Sequence, residues 1–225
     1  MILAAGFGTR LKPYTDFHPK ALYEVNGKTL LEHSIDHLKW AGITEVIINV
    51  HHFACQITDY LNKKDNFGLK ITISDETGEL LETGGGLKKA AWFFAGCDCA
   101  VIRNVDILSD LDLKKIASCH LKNNALATLA VRNRDTSRYL LFETGMQLCG
   151  WKNIKTGECK MSRYSSSLTP LAFSGIQVIS PEIFSLITEG GKFSLTDLYL
   201  RLTKAQKIIG YLDDGDVWED IGRKK

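Results

Sequence analysis

Two glycines, a hydroxyl and three cations stand close together near the start of the chain: Gly6, Gly8, Thr9, Arg10, Lys12 and, beyond Pro13 and Pro19, Lys20. Glycine has no side chain to hold a ligand away, so Gly6 and Gly8 let backbone N–H groups approach a phosphate. Arg10, Lys12 and Lys20 add charge-assisted donors to phosphate oxygens. Met1-Ile2-Leu3-Ala4-Ala5, just before them, is an apolar run the size of one buried strand. The chemistry on offer is a strand that delivers a polyphosphate into a positive loop, with an ordinary turn as the plain alternative. Two common nucleotide loops do not fit. A dinucleotide fingerprint needs a third glycine that Phe7 to Leu11 does not supply. A P-loop needs a glycine five residues before its Gly-Lys-Thr, and Leu22 occupies that place before Gly27-Lys28-Thr29.

Other residues offer chemistry further along. Glu82-Thr83-Gly84-Gly85-Gly86 puts three glycines in a row, which is not a core-packing pattern. They form a flexible turn or let backbone approach a flat ligand, and the helix expected over Leu87–Phe94 turns its positive end toward an anion. Ala100-Val101-Ile102 is a central strand that runs into Arg103-Asn104-Val105-Asp106. Asp106 stands just past a strand's carboxyl end and is a hard oxygen ligand suited to Mg²⁺, which accompanies polyphosphate. Asp110 and Asp112 read as turn or cap residues. Gly175, inside the strand Leu171–Ile179, marks close approach of a ligand. His51-His52, just after a strand, reads as a surface or loop pair, with a metal role as the alternative. Cys97-x-Cys99 has no partner pair at zinc spacing.

Alternating elements must position these groups. Thr29-x-x-Glu32 is a capping box that opens a helix with an apolar stripe at Leu30, Leu31, Ile35, Leu38 and Ala41, ended by Gly42. A strand at Glu45–Val50, a helix over Ala54–Lys64 and a strand at Leu69–Ser74 follow. Strand–helix–strand–helix–strand predicts an open α/β sheet with ligands at the carboxyl ends of its strands. Helices are expected over Asp112–Lys122, from Pro181 and over Ser194–Ala205, with a late strand at Ile208–Leu212. The runs Leu126–Val131, Tyr139–Glu143 and Gln147–Cys149 predict an antiparallel extension.

Length and composition narrow the classes. The 225 residues suit one domain, 1–225, with a sizeable core, and the 44% hydrophobic and 24% charged content is that of a soluble globular protein. A net charge of +2 gives no reason to expect nucleic acid, and no apolar run reaches membrane-spanning length. Met1 to Gly6 has no basic leader, so a cytoplasmic protein with its six cysteines reduced is expected. Met1 already lies inside the first strand and the chain stops three residues after Gly222, so both ends read as trimmed, with a terminal helix missing.

The opening string is more specific than its glycines. Leu3-Ala4-Ala5-Gly6-x-Gly8-Thr9-Arg10-Leu11-x-Pro13-x-Thr15, then Pro19-Lys20-x-Leu22 and Val25-x-Gly27-Lys28-x-Leu30-Leu31-Glu32, resembles the signature of the sugar-1-phosphate nucleotidyltransferases. It is most similar to short single-domain members, the N-acetylmuramate-1-phosphate uridylyltransferases and mannose-1-phosphate guanylyltransferase-like proteins. The resemblance implies a Rossmann-like three-layer α/β domain with a mixed, mainly parallel central sheet, of the nucleotide-diphospho-sugar transferase type. It implies nucleotide contacts from Leu3, Ala5, Gly6, Gly8, Thr9 and Arg10, and from Glu82, Thr83, Gly84 and Gly85 at base and ribose. Sugar contacts fall to Gly150 and Gly175, with Lys152, Lys155 and Lys160 plausible on the acceptor side, where a solvated basic loop is the equal alternative. The family's Asn-Gly-Asp corresponds to Asn104-Val105-Asp106 and its Trp-x-Asp-Ile-Gly-Thr to Trp218-Glu219-Asp220-Ile221-Gly222-Arg223, which implies Mg²⁺ on Asp106 and Asp220. Val105 replaces a glycine and Arg223 a threonine, and no Glu-Lys-Pro element is recognisable.

The implied partners are a nucleoside triphosphate and a sugar 1-phosphate, with no nucleic acid and no membrane. A sugar phosphate is already an anion at neutral pH, so no general base is needed, and catalysis is positioning plus charge neutralisation. Arg10 is expected on the leaving β- and γ-phosphates and Lys20 on the α-phosphate and the incoming phosphate. With no metal, Asp106 and Asp220 are expected to repel each other. Two other functions fit the same residues: a catalytically silent nucleotide-sugar-binding regulatory module, and a cytidylyltransferase for a non-sugar phosphate such as phosphocholine, with an aromatic cage from Trp151 and Tyr164.

Overall fold

Short apolar runs separated by amphipathic helices build the frame. A computed structural model describes residues 1–213 and 217–222. In chain order its first strands are β1 (Ile2–Leu3), β2 (Glu24–Val25), β3 (Lys28–Thr29), β4 (Glu45–Val50), β5 (Lys70–Asp75), β6 (Ala100–Asn104) and β7 (Ile107–Ser109). The later ones are β8 (Ala127–Arg132), β9 (Arg138–Phe142), β10 (Leu148–Asn153), β11 (Cys159–Met161), β12 (Thr169–Ile179), β13 (Ile208–Leu212) and β14 (Trp218–Asp220). The helices are α1 (Leu30–Trp40), α2 (Ala54–Lys63), α3 (Glu82–Lys89), α4 (Leu113–Asn123) and α5 (Leu195–Leu202).

The main sheet follows the order β11-β10-β9-β12-β6-β1-β4-β5, with β8 and β13 joined through β12. It is mixed: β5, β4, β1, β6, β8 and β13 share one direction, and β12 runs against them. The strands β9, β10 and β11 form the antiparallel extension. Leu126–Val131, expected in that extension, instead yields β8 of the main sheet, between β12 and β13. Its side chains are buried throughout Ala127–Val131, so covering on both faces, not alternation, decided its place.

Helices cover both faces. Val46, Ile48 and Val50 of β4 pack in the layer that holds Leu30, Leu31 and Ile35 of α1, Ile57 and Leu61 of α2, and Leu113 and Ile116 of α4. Ile47, pointing the other way as strand period requires, belongs to the layer with Leu87 of α3 and Leu195 and Leu198 of α5. The capping box forms as its residues dictate: Glu32 N–H donates to Thr29 Oγ1 at 3.1 Å and Thr29 N–H to Glu32 Oε2 at 2.9 Å. Gly42 follows α1 at φ 84°, the left-handed conformation expected of a helix-ending glycine.

This topology sets the site. Leu3 lies in register with Asn49 of β4 on one side and Asn104 of β6 on the other. The chain therefore leaves β1 between the carboxyl ends of two parallel neighbours. Ala4 to Arg10 must run across that edge, beside the Asn104–Asp106 turn.

Candidate active site

A cleft of about 420 Å³ opens at this edge. Its walls include Leu3, Ala5, Gly6, Gly8, Thr9 and Arg10 from the opening loop, Lys20, then Glu82, Thr83 and Asp106. The two leading glycines do different work. A side chain on Gly6 would meet open space, so its backbone faces the cleft bare. Gly8 takes φ 63° and presses on the Lys20 stem, where an added Cβ would come within 2.8 Å of Lys20 Cβ. Gly8 thus lets Lys20 pass under the loop. Lys20 is 8% exposed, and its ammonium bonds the Asp106 carboxylate. A cation this buried needs such a partner.

Arg10 joins the two candidate metal carboxylates. Its guanidinium reaches Asp106 Oδ2 at 3.9 Å and Asp220 Oδ2 at 3.5 Å. The fold explains their meeting: β14 pairs with β7, so Asp220 opposes Ile107, and Ile221 N–H donates to the Asp106 carbonyl at 3.0 Å. Gly222 closes over both cations, since a Cβ there would lie 2.6 Å from Lys20 Nζ and 3.0 Å from Arg10 Nη2. The expected repulsion between Asp106 and Asp220 is corrected here. Lys20 lies on Asp106 and Arg10 on both carboxylates, so cations offset the two negative charges. Val105 needs no left-handed turn; it packs into the core with its N–H on the Leu3 carbonyl at 3.1 Å. Arg223 lies outside the described residues.

Several expectations are not met at this cleft. The helix expected to begin at Leu87 begins at Glu82, so Gly84, Gly85 and Gly86 lie inside α3 and are buried. The view that they are not packing residues is corrected. Gly84 has the Phe193 ring against it, Gly85 the Gly191 carbonyl, and Gly86 the Glu76 carboxylate. Close helix contact, not an open ligand face, uses their missing side chains. Gly150 is not among the residues that line the cleft; it pairs with Met161 of β11, and a Cβ would strike the Lys160 carbonyl. Gly175 is nearer: it takes φ 80° at an irregularity of β12, with Ile107 and the cleft-lining Asn104 against it. Lys160 is bound to Asp197 at 2.8 Å and sits over Trp151, while Tyr164 is 93% exposed. Trp151 and Tyr164 do not meet among the described ring contacts, so the cage is not built from this pair. His51 and His52 flank the Phe7 ring at 5.2 and 5.7 Å.

Sequence reading missed a buried polar relay beneath the cleft. Ala4 N–H donates to Asn49 Oδ1 at 2.7 Å, and Asn49 Nδ2 donates to Glu76 Oε1 at 2.7 Å. Glu76, fully buried, also accepts from Leu81 N–H at 3.2 Å. The relay ties the opening loop to the start of α3. Asn49 was visible as a polar break in Val46-Ile47-Ile48-Asn49-Val50. Thr83 adds a second tie by accepting Leu195 N–H at 3.0 Å at the start of α5.

A glycine-containing loop, a cation pair and converging carboxylates gather at the carboxyl edge of an α/β sheet, the place where such sheets take nucleotides. The chain belongs to the nucleotidyl transferase family, whose model matches residues 1–225. It is 32% identical to the N-acetylmuramate alpha-1-phosphate uridylyltransferase of Caulobacter vibrioides, over 99% of this chain and 90% of that protein. It is 31% identical to the enzyme of the same name from Neisseria meningitidis, over 99% and 92%. These relatives place it among the sugar-1-phosphate nucleotidyltransferases. The fold is also that of HddC from Yersinia pseudotuberculosis complexed with GMP-PN, at a TM-score of 0.79 and 22% identity over 99% of this chain and 92% of that one. Among the described residues no helix is long and apolar enough to cross a membrane.

Proposed function

We propose that residues 1–225 act as one catalytic domain that transfers a uridylyl group from UTP to a sugar 1-phosphate. N-acetylmuramate 1-phosphate is the acceptor to test first, because two relatives carry that activity in their names. The observation that carries the reading is Arg10 held between Asp106 and Asp220, with Lys20 buried on Asp106, at the mouth of the glycine loop. An oxygen of the sugar phosphate attacks the α-phosphorus. The bond from that phosphorus to the bridging oxygen breaks, and pyrophosphate leaves with the electron pair. Arg10 binds the departing β- and γ-phosphates, and Lys20 draws the α-phosphate and the attacking phosphate together despite their like charges. Gly6, Gly8 and Thr9 donate to phosphate oxygens. Leu3, Ala5, Glu82 and Thr83 shape the base and ribose side. Gly84 and Gly85 serve by seating α3, and Gly175 by letting β12 approach Asn104.

The carboxylates suit Mg²⁺ by their donor chemistry. Asp106 and Asp220 offer hard oxygens within reach of one guanidinium and are only 15% and 20% exposed. Among the described residues no third His, Cys, Asp or Glu joins them, so the other positions fall to phosphate and water. Bound there, the ion would supply charge neutralisation on the phosphates. A cytoplasmic location belongs to the same reading and is supported by six free thiols. The test is pyrophosphate release from UTP, GTP, CTP and dTTP against a panel of sugar 1-phosphates and phosphocholine. Release with UTP and a sugar 1-phosphate is expected, and no release with any pair would refute the proposal.

A further inference from the structure

Arg103 is a charged residue where the fold asks for an apolar one. It lies in β6, in register with Ile2 and Ile176, and is 1% exposed. Among the described residues no carboxylate stands within ion-pair distance, and its Nε is buried without a hydrogen-bond partner. Burying a cation this way carries a large desolvation cost, and a matched apolar side chain would avoid it. The fork is nonetheless committed. Nη1 donates to His37 Nδ1 at 2.7 Å, and Nη2 donates to the Ile107 carbonyl at 2.5 Å.

His37 is held for this task. Burial first, and Arg103 second, push its imidazole down to about 4, so it is neutral at physiological pH. Its Nε2–H donates to the Leu111 carbonyl at 2.7 Å, which leaves Nδ1 free to accept from Arg103. Burial lowers the Arg103 guanidinium only to about 10, so it stays charged, and the Asp106 carboxylate works against that lowering. The carbonyl that Arg103 grips belongs to Ile107, next to Asp106 and opposite Asp220 across the β7–β14 pair. Ser34 Oγ adds a bond to the Val105 carbonyl at 3.3 Å. The turn that carries Asp106 is therefore bolted from beneath, by α1 and β6 side chains that do not line the cleft.

We propose that Arg103, oriented by its bond to His37, is a positioning residue that fixes the Asp106 turn so that Asp106 and Asp220 present their carboxylates together. The inference rests on reading those two residues as the metal ligands. Wild type, Arg103→Met and Arg103→Lys test it through turnover with UTP and N-acetylmuramate 1-phosphate. Unfolding midpoints are measured on the free protein, with UTP, and with UTP plus Mg²⁺. Arg103→Met is expected to lose kcat by roughly 10- to 100-fold, as when an outer-shell partner of a ligand is removed. Its KM for UTP should stay within about threefold. Its free midpoint should fall modestly, because the buried His37 Nδ1 and Ile107 carbonyl lose their donor, and the added stabilisation from Mg²⁺ should shrink as well. Arg103→Lys keeps the charge but loses the fork, and should show the same loss of kcat. Unchanged kcat and unchanged Mg²⁺ stabilisation in either variant would overturn the proposal. So would failure of both to fold, which would make Arg103 merely structural. If Arg103→Met alone fails, Arg103→Lys decides. A wild type that releases no pyrophosphate with any acceptor sinks the functional reading alone, because the Mg²⁺-dependent midpoint still judges Arg103.

Discussion

At the scale of single residues, Arg10 differs from Lys20 in being about half exposed and shared between two acids. Its fork can turn from carboxylates to phosphates, which suits a group that follows the leaving pyrophosphate. Arg10→Ala should lower kcat by about two to three orders of magnitude, the effect of losing one preorganised donor. Arg10→Lys should restore little, since an ammonium cannot reproduce a planar two-point contact. Steady-state turnover of the two variants checks this, and a near-normal rate for Arg10→Ala would reduce it to a surface cation. The same scale holds the clearest misreading of a residue type. Gly84 and Gly85 look like ligand-facing glycines, yet their missing side chains are filled by Phe193 and Gly191.

At the scale of elements, α3 is the piece whose placement matters most to the cleft. It is joined to the opening loop through Glu76 and Asn49, and to α5 through Thr83. Its own glycines allow it to approach the 190–194 segment, where Gly84 N–H donates to the Phe193 carbonyl at 2.9 Å. Gly84→Ala should therefore overpack this contact and destabilise the protein by about 1–3 kcal/mol. Because Glu82 and Thr83 line the cleft, the same change should raise KM for the nucleotide. Thermal unfolding and a KM series would show both effects. A fully stable Gly84→Ala with normal KM would return these glycines to the role of a loose turn.

At the scale of the whole molecule, four charges drawn from distant segments form one network. Lys20 and Arg10 hold Asp106 and Asp220 until something takes the cations away. On the proposed function a triphosphate would do that, and its arrival would free carboxylate oxygens for a divalent ion. Nucleotide and Mg²⁺ should then bind cooperatively, with coupling of the size of the ion pairs exchanged, about 1–3 kcal/mol. In unfolding midpoints, UTP plus Mg²⁺ should exceed the sum of each alone. Excess chelator should abolish pyrophosphate release. Equal stabilisation by Mg²⁺ with and without UTP would break the exchange argument, and full activity in chelator would remove the metal role of both acids.

The sequence by itself determined the layered α/β class, the capping box at Thr29 and the family, because these depend on local chemistry and on periodicity. Strand–helix alternation places ligands at carboxyl ends, and that alone put Gly6 and Asp106 on one edge. Tertiary structure decided the rest, because each remaining question was about distance between segments far apart in the chain. Asp220 reaches Arg10 only because β14 pairs with β7. The repulsion expected of two acids is offset by Arg10, which lies on both, and by Lys20, which lies on Asp106, and no linear pattern shows which cation lies on which carboxylate. Arg103 reads in sequence as one more charge after a strand. Only its burial, its histidine and its grip on Ile107 give it a task, since a buried cation without an ion-pair partner can be recognised only when every possible partner has a position.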